Sequence, residues 1–135
     1  MTYEAEYNAL RARFESQWAN TTPIAWPNVD FKPTDESPWV RFSIVSTDVR
    51  QASFGAATNF YRHPGVIIVQ VFTPILQGDK EALQLADQVA SIFRNWSDAA
   101  NRIRFLSPPS VKAIGEDKPW YQVNVSCPYI RDTLF

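Results

Sequence analysis

Residues 62–74, RHPGVIIVQVFTP, constrain this chain more than any other stretch. Between Val66 and Phe72 every position except Gln70 is apolar, and most are β-branched. Pro64-Gly65 closes the run on one side and Pro74 on the other. A strand with one wet face alternates in polarity, and this one barely does. It is therefore predicted as a central strand buried on both sides. A buried helix segment would be longer, without the β-branched bias and the proline and glycine bounds. Residues 80–96 follow with the strongest helical pattern in the chain. Strand and helix together form the platform that other segments must cover.

The first helix is predicted over Tyr3 to Ala19, with Thr2 as its cap and Glu4 and Glu6 at the positive end of its dipole. Tyr3, Tyr7, Leu10, Phe14 and Trp18 make one apolar stripe at helical spacing, expected to pack on the sheet. Ala5, Ala9, Ala12, Ser16 and Ala19 make the opposite side. Alanine there either favours an exposed helix or offers a smooth face on which a neighbouring subunit lies close. Four prolines between residues 20 and 38 exclude a helix, and Ile24-Ala25-Trp26 reads as a short edge strand. Trp39 to Thr47 reads as a strand with Val40, Phe42 and Ile44 on one side.

Residues 48–61 read as strand, turn and strand, with Gly55-Ala56-Ala57 near the tip and Gln51, Ser53, Thr58 and Asn59 along the arms. This weakly patterned segment is either a projecting arm or an ordinary surface hairpin. Asp79 is a fitting N-cap for the second helix, whose apolar face is Ala82, Leu85, Ala86, Val89, Ile92, Phe93 and Trp96. Short strands follow at 101–106 and 110–114, then a turn at 115–119 and a last strand at 120–127. Residues 128–135 read as a terminal extension whose apolar side chains dock on this subunit or another. The sum is a single α+β domain over 1–135: a mostly antiparallel sheet with two main helices on one face.

Chemistry is sparse. His63 is the only histidine and Cys127 the only cysteine, so there is no zinc set and no intrachain disulfide. Asp35-Glu36 and Glu116-Asp117 lack calcium-loop spacing, and no phosphate-binding glycine motif is present. No catalytic residue, metal or cofactor is expected. A net charge of −1 gives no basic footprint for nucleic acid or an anionic membrane. No apolar run reaches the ~18 residues of a membrane span. The N-terminal stretch lacks the apolar core of a signal peptide, and the single cysteine suits synthesis in the cytosol. Arg50, Arg62, Arg102, Arg104 and Arg131 are read either as contact residues or as solubilising charge.

The block from Arg62 to Phe93 resembles the phage tail terminator family. Arg62 and Gly65 stand before the apolar strand and Pro74 ends it. Gly78 follows, then a helix with Ala82, Ala86-Asp87 and Phe93. Tyr7, Arg11 and Phe14, and Trp39-Val40-Arg41-Phe42, fit as well. The resemblance implies a structural protein of the virion, assembled in the host cytoplasm. It implies a homohexameric ring on the head-proximal end of the tail tube, which stops tube growth and presents a surface for head joining. The implied partners are further copies of the chain, the tube protein and a head-joining protein. A ring needs two different patches per subunit. The candidate contact residues are Ala5, Ala9, Ala12, Arg50, Gln51, Phe54, Asn59, Arg62, Arg102 and Arg131. A head–tail connector, a ligand-binding module with a cavity between helix and sheet, and a small enzyme using His63 stay open as alternatives.

Overall fold

The apolar run forms the middle of a strand longer than its sequence suggests. A computed structural model describes residues 3–33, 37–51, 53–55, 59–76, 78–105, 107–117 and 119–134. Thr2, Asp35, Glu36, Ala56, Ala57, Thr58, Leu106, Lys118 and Phe135 lie outside the described residues. The elements are α1 (Tyr3–Trp18), β1 (Ile24–Ala25), β2 (Trp39–Ser46), β3 (Arg50–Gln51), β4 (Phe60–Pro74), α2 (Lys80–Phe93), β5 (Ile103–Phe105), β6 (Ser110–Asp117) and β7 (Trp120–Leu134).

Among the described residues the seven strands make one sheet, all antiparallel except the β1–β2 pair. Its spine is β4 against β7, paired without a break from Phe60↔Leu134 to Pro74↔Trp120. At about 3.3 Å per residue each strand is roughly 45 Å long. β2 and β3 lie in line along the outer edge of β4, and β6 and β5 lie in line along the outer edge of β7. The segment from Pro128 is therefore no extension, but the second half of β7. The two prolines inside the spine fall at gaps. Pro64 sits between the reach of β2, which ends at Gly65, and that of β3, which begins at Arg62. Pro128 sits between β6, ending at Ser126, and β5, beginning at Tyr129. A missing N–H is tolerated opposite such gaps.

Both helices cover one face. Ile67, Val69 and Val71 of β4, with Val123, Val125 and Cys127 of β7 and Val40 and Phe42 of β2, meet Leu10, Phe14 and Trp18 of α1 and Ala82, Leu85, Ala86, Val89 and Phe93 of α2. Phe14 stacks on Phe42 at 5.1 Å between ring centres and joins Phe93 at 6.2 Å. The opposite face corrects the expectation of burial on both sides: Val66, Ile68 and Gln70 are half-buried, with no helix over them. Only its far end is closed, where Trp39 stacks on Phe72 at 4.2 Å beside Trp120, Ala25 and Phe31. The run lacks alternation because cross-strand neighbours and this aromatic group shelter the second face in part.

Local signals fared unevenly. Asp79 holds the N-cap position of α2, but its backbone lies in the helical region and its side chain makes no capping bond. Leu83 N–H instead donates to the Asp79 carbonyl at 2.9 Å. The predicted 115–119 turn starts later, because β6 runs on to Asp117 past a register shift between Ala113 and Gly115. Gly115 there has φ +107°, which suits glycine.

Candidate assembly surfaces

The buried line of α1 is Glu6, Leu10, Phe14 and Trp18, which keeps three residues of the predicted stripe and takes Glu6 in place of Tyr3 and Tyr7. Tyr3 is half exposed, and the Tyr7 hydroxyl reaches Ser46 Oγ at 3.1 Å. Glu6 replaces them inside because its partners come from β7. Arg131 Nε donates to Glu6 Oε1 at 2.6 Å, and the Tyr129 hydroxyl donates to Glu6 Oε2 at 3.0 Å. Both charged side chains are 1% exposed. Arg131 also lies over the Tyr3 ring at 5.4 Å, and Tyr3 meets His63 edge-on at 5.7 Å. A buried carboxylate persists when it is paired and hydrogen-bonded in this way.

Gly65 makes the arrangement feasible. A Cβ there would lie 2.6 Å from the Tyr129 ring, so the bare backbone lets the ring cross β4 toward Glu6. Burial, then the Glu6 carboxylate, push the Tyr129 hydroxyl far above its ordinary pKa. His63 Nε2 and Thr133 Oγ1 share a 2.9 Å hydrogen bond. Burial first, and then Arg131, hold His63 below its ordinary pKa, while Glu6 and Asp132 oppose them. Burial pushes the Cys127 thiol up to about 12, so it is inert as a nucleophile at neutral pH. Both Glu6 oxygens are occupied, and the cluster works as a clamp of α1 on the spine.

Arg131 is therefore corrected from a surface contact to an interior group. Ala5 and Ala9 are half-buried, with Ala9 against the main core, so only Ala12 of the three is exposed. The remaining candidates gather around the start of β4. Arg50 and Gln51 are exposed on β3, paired with Arg62 and Tyr61. Gln51 Nε2 donates to Ser53 O at 2.9 Å, and Phe60 N–H donates to Ser53 Oγ at 2.8 Å, which ties the arm to β4. Phe54 stands 79% exposed beyond it, and Asn59 is half-buried. Arg62 Nε donates to Asp132 Oδ1 at 3.1 Å, and Arg104 approaches the other oxygen at 3.7 Å. The Arg102 guanidinium lies over the Phe60 ring at 5.5 Å. Sequence reasoning missed Glu6, although its spacing of four from Leu10 carried the signal.

In such a domain the buried ionisable groups hold the fold, while large apolar side chains and cations stand outside. That is the class of small α+β proteins that act through contact with other proteins. The model of the family described as phage tail terminator protein matches residues 7–129, and the chain belongs to that family. It is therefore a structural component of a phage tail. A solved structure of a protein without a functional name is 25% identical and superposes with a TM-score of 0.69, over 93% of this chain and 94% of that one. No curated protein matches.

Proposed function

We propose that copies of this chain form a ring, six by the family's pattern, on the head-proximal end of the tail tube. The ring ends tube polymerisation in the host cytoplasm and offers its outer side to a head-joining protein. Beyond family membership, one observation carries this reading: Phe54 stands 79% exposed on an arm anchored to the spine, whose strand holds Arg50 paired with Arg62. Exposed aromatics and arginines are both favoured at interface centres. Ala12 and the exposed side of α1 are a further contact candidate. Tails produced without this protein should grow beyond normal length and fail to join heads, as read by electron microscopy. Tails of normal length in its absence would overturn the proposal.

A further inference from the structure

The turn between β4 and α2 presents Leu76 at 89% exposure, the most exposed large apolar residue described. Its φ is +66°, a left-handed conformation that glycine or asparagine adopts at lower cost. Strain at an exposed leucine brings the monomer no burial in return, which points to a partner. Asp79 and Glu116 line the recess beside Leu76, and among the described residues no cation lines it with them.

The other end of α2 is complementary. A recess of about 570 Å³ opens between the end of the helix, β5 and the 107–109 turn. Its apolar lining includes Phe93, Trp96, Phe105 and Pro109. Arg94 and Arg104 line it, and among the described residues no carboxylate does. Arg13 adds a third cation, 5.3 Å above the Trp96 ring, while it caps α2 through the Ile92 carbonyl at 2.8 Å. An acid-flanked knob and a base-flanked hollow thus sit at the two ends of one helix, roughly 20 Å apart at 1.5 Å per residue.

We propose that Leu76 of one subunit seats in the recess at Trp96 and Phe105 of the next, with Asp79 and Glu116 meeting Arg94 and Arg104. The occupant is a second copy because this chain itself carries the complement in shape and charge. Knob and recess are different patches, so the contact is head-to-tail and closes into a ring when the rotation permits. This inference rests on the ring reading and names its subunit contact, distinct from the arm at Phe54.

The test uses native mass spectrometry of the full chain, alone and on purified tail tubes. Leu76→Asp and the double variant Arg94→Glu/Arg104→Glu should each weaken assembly at least tenfold. Leu76→Ser serves as a milder check on the turn. The Leu76 variants should melt as the wild type does, and Arg94→Glu/Arg104→Glu a few degrees lower because residue 104 faces Asp132, while staying folded by circular dichroism. Mixing Leu76→Asp with Arg94→Glu/Arg104→Glu leaves one intact contact per pair, so the mixture should stop at one-to-one dimers. If the variants assemble as the wild type does, or the mixture builds full assemblies, the contact is wrong and the ring reading stands. If wild-type protein assembles neither alone nor on tubes, the ring reading fails and takes this contact with it.

Discussion

Two regions of this molecule reverse the usual placement of side chains. Under α1, a glutamate and an arginine are sealed inside at 1% exposure. At the arm and at the turn before α2, a phenylalanine and a leucine stand 79% and 89% exposed. The buried charges are paired within the subunit: Glu6 takes bonds from both Arg131 and Tyr129, although Arg131 Nη1 is left without a hydrogen bond. Among the described residues the exposed apolar groups are left open to solvent. The first region is explained by the monomer alone; the second is where the proposed contacts with other proteins lie.

The sharpest way to break the comparison is to bury a charge without a partner. Val69→Asp places a carboxylate beneath the same helices that accept Glu6, and should destabilise by more than about 4 kcal/mol. Soluble, folded Val69→Asp protein by circular dichroism would show that pairing is not what protects Glu6. Arg131→Ala strands Glu6 and should cost about 3–5 kcal/mol in urea unfolding. The double change Glu6→Leu/Arg131→Met should lie near the wild type, because a buried pair often exchanges with apolar groups at little loss. Gly65→Ala pushes the Tyr129 ring off Glu6 and should cost about 1–3 kcal/mol. Tyr129→Leu should relieve part of that loss in a double-mutant cycle.

The exposed side should behave in the opposite way. Phe54→Asp should change stability by less than about 0.5 kcal/mol. It should weaken binding to tail tubes by about 2 kcal/mol, near thirtyfold, in co-sedimentation. Arg50→Glu should act in the same direction. The smallest effect is in pH. His63 has a lowered folded pKa, so below its ordinary value of 6.5 the unfolded chain binds the proton more readily. Stability should fall as the pH drops through 6.5 toward the lowered folded value, with a slope of at most about 1.4 kcal/mol per pH unit. Unfolding of His63→Asn at pH 7 and pH 5 should lose that increment.

Much of the scaffold was legible in the residues. The β-branched run predicted β4, the spacing of Ala82, Leu85, Ala86, Val89 and Phe93 predicted the buried side of α2, and the strand predicted over Trp39 to Thr47 is β2 to within one residue. Boundaries failed where a local stop signal was overruled by pairing. Pro128 looked like an end, yet β7 continues to Leu134 because β4 offers a partner at every position. Burial failed where the partner was remote. The tyrosines of α1 looked more apolar than Glu6, but Glu6 is the one that forms an ion pair with Arg131. Among the proposed contacts, Arg50, Gln51, Phe54, Asn59, Arg62 and Arg102 lie on or beside the start of β4 and the turn into β5. Nothing in their spacing along the chain required it.

By itself, the sequence determined the two helices, the central strand, the α+β class and the family, because each rests on local periodicity, turn residues or a motif read in order. Which face of β4 stays open, which arginine is interior and where an apolar side chain is left without cover were decided only in three dimensions. Those outcomes depend on pairs far apart in the chain: Arg131 and Glu6 are separated by 125 residues. The charge of a residue is written in its letter, but whether it can be buried is set by what the fold brings against it.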